Sequence, residues 1–329
     1  MQDRKRPAGA LTCGAFLCLL LAGSLARAEL FLTRNQNPFS LFQGQPLPLP
    51  AQAPPAGWRA GLSLDISNTL NAPSNSNQSL YVDYEAYVLN VRISKTLTDR
   101  WYLITDVPLV HRGGGMFDRA IDNWHRAFGL PRADRPNVAD NQFAIRYVRD
   151  GATRIDLNRT TTGVGDIGLN LGYQLQTNTA AKLALWLGME LPAGDSSRLT
   201  GNEQLDVSLS LAASLRPSPD WRLDFNLGVV RPGGNLIDAN PVADTVFYSY
   251  LSGRWQLLDW LQLGLQLESH QAYYRDASLD LMDNANVLVF GGAIVFGPCE
   301  QLDIGFSEDI AVGSSPDIAL LLNWRQRAC

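Results

Sequence analysis

The chain has 329 residues, a formal net charge of −5 and only 18% charged residues, fewer than the ~25% usual in soluble proteins. That balance argues against a nucleic-acid partner. Four cysteines, two of them inside an N-terminal apolar run, are too few for a disulfide scaffold or a thiolate metal site.

Arg4, Lys5 and Arg6 precede the run ALTCGAFLCLLLAGSL, and ARA follows it with small residues at Ala26 and Ala28. This is the pattern of an export signal, so residues 1–28 are expected to be removed. Ser24 stands where a lipoprotein needs its cysteine, and the apolar run is short for a span of roughly 20 residues. Residues 29–57, with QGQPLPLPAQAPPAG, read as an irregular Pro/Gln-rich periplasmic arm.

From Trp58 the pattern changes to strict alternation. WRAGLSLDI puts Trp58, Ala60, Leu62, Leu64 and Ile66 on one face and Arg59, Ser63 and Asp65 on the other, as a strand requires. Twelve such strands are expected, near 58–69, 80–96, 100–110, 165–176, 182–192, 204–216, 221–231, 245–257, 260–273, 286–297, 301–312 and 317–327. The connections between them alternate: LTDR, TNTA, PSPD and LLDW are short, while NAPSNSNQS, AGDSSRLTGNE and YRDASLDLMDN are long. A membrane barrel has short periplasmic turns and long outer loops, and its strands alternate lipid-facing apolar with lumen-facing polar residues. Aromatic residues directly after short turns, Trp101-Tyr102, Trp221 and Trp260, suit a membrane interface. The fold class is therefore an all-β transmembrane antiparallel barrel over residues 58–329, in the outer membrane of a Gram-negative bacterium, with lipid around it and no partner subunit.

One segment breaks the alternation, an extracellular insert at 111–164. Phe117, Ile121, Trp124 and Phe128 recur at helical spacing, and Gly129 and Pro131 stop the helix. A short amphipathic helix needs something to cover its apolar stripe, and the barrel mouth is the expected seat. His125 shares a face with Asp118 and Asp122; solvated side-chain pairs are expected there rather than a metal. Asp150-Gly151, between two alternating runs, marks a hairpin.

The stretches Thr33–Pro48, Asp106–Pro131 and Gly163–Leu175, with ELPAGDSSRLTGNEQLDVSL and SEDIAVGSSPDIAL, resemble an uncharacterised family of Gram-negative outer-membrane proteins. They are distantly similar to the barrels encoded with aromatic-degradation pathways. The resemblance implies fold and location only. Such barrels usually end on an aromatic residue, whereas this chain ends NWRQRAC.

Alternation assigns Asp65, Glu85, Arg92, Asp106, Asp166, Glu190, Asp206, Asp224, Arg254 and Glu268 to the lumen. They describe either a polar pore with a mild acidic bias, favouring cations, or a lumen filled by paired charges. No histidine offers a His-x-Ser pattern, and Ser269 and His270 must face opposite ways, so an enzyme and a cofactor are not expected. Pairing the last hairpin about Ser314 would set Asp303 opposite Arg325, Ile304 opposite Trp324 and Cys299 opposite Cys329, close to disulfide reach in an oxidising periplasm. The expected function is a narrow or gated channel for small solutes, hydrophobic ones among them, with the arm and the helix restricting the lumen. The alternative is a plugged barrel whose outer loops bind a partner.

Overall fold

A computed structural model describes residues 30–54, 56–129, 139–178, 180–234, 236, 240–276, 278–297, 299–310 and 313–326. The expected export signal and Cys329 lie outside the described residues, and of Trp124, His125 and Phe128 only the helical backbone is described.

In chain order the elements are β1 (Trp58–Asn71), β2 (Gln78–Thr96), β3 (Trp101–Gly113), α1 (Asp118–Phe128), β4 (Ala144–Arg149), β5 (Ala152–Leu157), β6 (Thr161–Val164) and β7 (Ile167–Thr177). Then follow β8 (Ala181–Leu191), β9 (Asp206–Ser218), β10 (Trp221–Arg231), β11 (Val246–Leu258), β12 (Leu261–His270), β13 (Ala285–Phe296), β14 (Glu300–Asp309) and β15 (Ile318–Gln326). Consecutive wall strands pair antiparallel, β3 passes to β7, and β15 pairs back onto β1, which closes a twelve-stranded barrel. Three strands are extra. β4 and β5 form the hairpin expected at Asp150-Gly151, both of which have positive φ, and they extend β2 beyond the wall. β6 pairs with the far end of β3 and continues the line of β7 after a break at Gly165–Asp166.

The polarity of the molecule is inverted relative to a soluble domain. Ser63, Asp65, Asn90, Asn170, Ser208, Ser210 and Asn226 point inward and are buried, while Leu187, Leu209, Leu227, Leu265 and Phe306 point outward and are exposed. So much contiguous apolar surface is stable only against lipid. No helix among the described residues is long and apolar enough to cross a membrane; the chain crosses by strands. Trp58, Trp101, Trp221 and Trp260 are exposed at the short-turn end, where Trp221 stacks on its cross-strand partner Trp255 at 6.1 Å. Tyr102, expected in that belt, instead points inward and meets Trp186 edge-on at 4.7 Å, because it has the opposite parity to Trp101.

Two expectations need correction. The final hairpin is shifted by two: Asp303 lies opposite Asn323, Ile304 opposite Leu322, and Gln301 opposite Arg325. Arg325 still reaches Asp303 diagonally, so the ion pair forms without dictating the register. The second correction concerns the arm. Residues 30–54 do not lie in the periplasm but fill the barrel, where Phe31, Phe39, Leu41, Leu49 and Gln43 are fully buried.

The inverted polarity gives a direct check. Leu209 lies on β9 near the middle of its outward apolar run Leu205–Leu215, 48% exposed and facing lipid. Leu209→Arg is expected to cost about 2–4 kcal/mol of folding stability, against at most about 1 for Leu205→Arg near the membrane boundary, as read from urea-dependent folding into lipid vesicles.

Candidate functional site: the arm in the barrel lumen

The arm runs up and back inside the wall. It starts near the short-turn end, where Arg325 donates to the Leu30 carbonyl (3.2 Å), and turns at the long-loop end, where Asn35 and Asn37 each reach the Ser314 carbonyl (3.2 Å). It then returns to the short turns, where the Thr96 hydroxyl donates to the Pro54 carbonyl (2.7 Å). The turn is built locally: the Asn35 and Asn37 side-chain oxygens accept from the backbone of Asn37 (3.0 Å) and Phe39 (2.9 Å), as asparagine does in Asx turns. Gly44 has φ +84°, and a Cβ there would lie 2.4 Å from the Asp206 Cβ, so the turn closes only on glycine.

A buried, irregular backbone must find a partner for each N–H and C=O. The wall supplies them from side chains. Gln266 accepts from Phe31 N (2.8 Å) and donates to Phe31 O (3.2 Å). Asn323 does the same for Leu32 (2.9 and 3.3 Å), and Asn226 for Leu49 (2.6 and 2.9 Å). Gln174 accepts from Ala53 N (2.7 Å) and donates to Ala51 O (2.9 Å). Each amide thus stands in for a neighbouring strand. The prolines lower the demand, because they carry no N–H. Their carbonyls are met by Tyr250 at Pro46 (3.0 Å), Arg92 at Pro48 (2.8 Å) and Trp186 at Pro50 (3.1 Å).

The ten expected lumen residues fall into distinct groups. Asp65 accepts from the Thr33 hydroxyl (2.6 Å), Glu268 from Asn35 N (3.0 Å) and Gln45 (2.9 Å), and Glu190 from Gly44 N (2.8 Å) and Arg34 (3.2 Å); these three hold the arm. Arg34 is the sole charged side chain of residues 30–57, and it also donates to the Gln45 carbonyl. Asp166 accepts from Gly194 N and Asn202 N (both 2.8 Å), and Asp206 from Gly233 N (2.6 Å), so these two hold outer loops. Arg92 grips Asp106 through two bonds (2.7 and 2.8 Å), and Asp224 pairs with Arg222 (2.8 Å). Arg254 pairs with Asp303 (3.0 Å) beneath the Phe31 ring, 4.1 Å from its centroid. Glu85 accepts from Met116 N (3.2 Å) and Phe117 N (3.1 Å) and so anchors the start of α1. Asn68 on β1 ties Asp118 (2.8 Å), and Ile121 is buried. Asp122 pairs with Arg126 one turn on (3.4 Å). Among the described residues no cluster of His, Cys, Asp and Glu is built to hold a metal.

The charges are not spread as a mild acidic bias. Glu85, Asp166, Glu190, Asp206 and Glu268 sit toward the long-loop ends of their strands or just beyond them. Arg59, Arg92, Lys182, Arg222, Arg254 and Arg325 sit toward the short-turn ends, facing Asp106, Asp224 and Asp303; Arg112, buried at the long-loop end of β3, and Arg34 of the arm are cations of the other half. The neutral amides Gln174, Asn226, Gln266 and Asn323 were not singled out in the sequence, although inward parity in an otherwise apolar strand is a signal that could have marked them.

Residues 13–328 match the family described as "Protein of unknown function (DUF3187)". The COG4313 outer membrane channel from Pseudomonas putida F1 superposes with a TM-score of 0.56 at 17% identity, over 86% of this chain and 99% of that one. A deltaS2S3 mutant of the monoaromatic hydrocarbon channel TodX gives 0.44 at 12% identity, over 83% and 91%. The Ralstonia pickettii toluene transporter TbuX gives 0.41 at 10%, over 83% and 90%. At 17% identity the first likeness is one of fold. No curated protein matches the chain.

Arg34 and Glu190 are both nearly buried, with side-chain exposures of 10% and 6%. Arg34→Met leaves Glu190 an unpaired buried charge, a change that costs about 3–5 kcal/mol. Hydrogen exchange is expected to show residues 30–54 losing protection while β8–β12 keep theirs.

Proposed function

We propose that this chain, which belongs to the DUF3187 family of proteins of unknown function, is a gated channel of the outer membrane whose gate is the Pro-rich arm. The barrel itself is an outer-membrane barrel. The observation that carries the gating reading is that the arm lies inside a closed wall without being part of its sheet. Side chains hold it, at separate points along its length. Such contacts can be exchanged for water or solute one by one, whereas a strand leaves a ladder only as a whole. The likeness in fold to a solved outer membrane channel supports the channel reading. The cavity beside the arm, lined by Leu32, Leu49, Ala51 and Ile104 together with arginines, supports small solutes with apolar parts, passed by a monomer.

A second reading, a permanently plugged barrel, is favoured by the outer end. There Phe39 of the arm packs with Tyr84, Tyr147, Tyr248, Tyr273, Tyr274 and Leu281. Planar-bilayer recording separates the two. Wild type is expected to show rare, brief openings, and Arg34→Met or removal of residues 30–54 to raise the open fraction. A wild type and an Arg34→Met protein that never open, with conduction only after residues 30–54 are removed, would leave only the plugged reading.

Cys299 is disulfide-bonded. With Cys13 and Cys18 in the expected export signal, we propose Cys329 as its partner, which would fasten the C-terminus at the short-turn end. Mass spectrometry of a non-reduced digest is expected to yield a linked pair of peptides; two alkylatable thiols would refute the bond.

A further inference from the structure

The short-turn half of the lumen holds more cations than its carboxylates neutralise. Arg222 and Arg254 are direct cross-strand partners on β10 and β11, both inward, with side-chain exposures of 11% and 1%. Like charges placed opposite one another repel, and burial strengthens the repulsion. Asp224 lies 2.8 Å from Arg222. On the other side Asp303, 3.0 Å from Arg254, is shared with Arg325, so two guanidinium groups divide one carboxylate. The Nε and one Nη of Arg254 have no hydrogen-bond partner, although the residue is only 1% exposed. Buried donors on a charged group are costly to leave unmet.

Arg222 also borders two cavities. The smaller is lined by Arg216, Arg254, Trp221 and Asp220. The larger, about 120 Å³, has apolar walls from the arm at Leu32 and Leu49 and from Ile104, and its charged walls are Arg59, Arg92, Arg222 and Arg325 against one carboxylate, Asp224. An apolar cavity of about 150 Å³ takes a benzene ring, so the body that fits is no larger than one ring.

We propose that the short-turn end of the lumen binds a small organic monocarboxylate, with its charge at Arg222, the member of the Arg222–Arg254 pair that faces the larger cavity, and its apolar body against the arm. A carboxylate presents two oxygens to the planar guanidinium fork. A strongly hydrated polyanion would have to lose its water against Leu32 and Leu49. The carboxylates clustered at the long-loop end repel an anion approaching from there, so the ligand arrives from the short-turn side. The inference names a ligand class for the channel proposed above, but the binding step does not require that the barrel conduct.

Equilibrium dialysis of the folded full chain in detergent, against empty micelles, tests it with benzoate and its uncharged counterpart benzyl alcohol. Benzoate is expected to bind saturably at one site, and benzyl alcohol about tenfold more weakly or worse, the difference one charge-assisted hydrogen bond makes. Arg222→Gln is expected to weaken benzoate by a similar factor, while Arg119→Gln on α1 changes nothing. Absence of saturable benzoate binding, equal affinity for the alcohol, or an unaffected Arg222→Gln protein would each overturn the proposal. Should Arg222→Gln fail the heat-modifiability test of folding, the benzoate-to-alcohol ratio of the wild type decides alone. Saturable binding by a barrel that never conducts would remove the channel and keep the site; conduction without benzoate binding would do the reverse.

Discussion

A closed barrel leaves an irregular segment inside it with no sheet edge to join, and its backbone hydrogen bonds must still be made. That requirement organises the lumen. Gln174, Asn226, Gln266 and Asn323 each offer an acceptor and a donor to the arm, and Tyr250, Arg92 and Trp186 meet the carbonyls of the three successive prolines Pro46, Pro48 and Pro50. An apolar lumen would strand the arm, and an arm rich in N–H donors would strand itself. The Pro-x-Pro-x-Pro run at 46–50 and the amide-bearing wall are two halves of one solution.

The same arrangement explains how charge is distributed. Arg34 brings a single positive charge to the carboxylate-rich outer half, where Glu190 receives it, and elsewhere the arm is neutral. Contacts to neutral amides are individually modest, about 0.5–1.5 kcal/mol each, whereas breaking a buried ion pair costs several times more. The arm is therefore held by many weak points and one strong one.

The inner half lacks that balance. Arg222, Arg254 and Arg325 share Asp224 and Asp303, and Arg254 has unmet donors under the Phe31 ring. The asymmetry between the two halves gives the lumen a direction that neither composition nor net charge contains.

Much of this was legible in the residues alone. A side-chain period of two, loops of alternating length and tryptophans after short turns depend only on local geometry and on the solvent each face meets, so strand number, inward parity and the Asp150-Gly151 hairpin could be read directly. Local pattern does not encode which inward residue touches which. Asp303 and Arg325 were expected face to face and are diagonal, because an ion pair can reach across a shift of two and so does not choose the register. Nor could composition place the arm. A Pro-rich stretch reads as unpaired chain wherever it lies, and only the closed wall, with its amides matched to the arm, decides that it lies inside. The sequence by itself determined the barrel, since alternation is a property of one strand in contact with lipid. Tertiary structure alone decided the plug and the polarised lumen, since both are properties of strands brought around a ring to face a segment far from them in the chain.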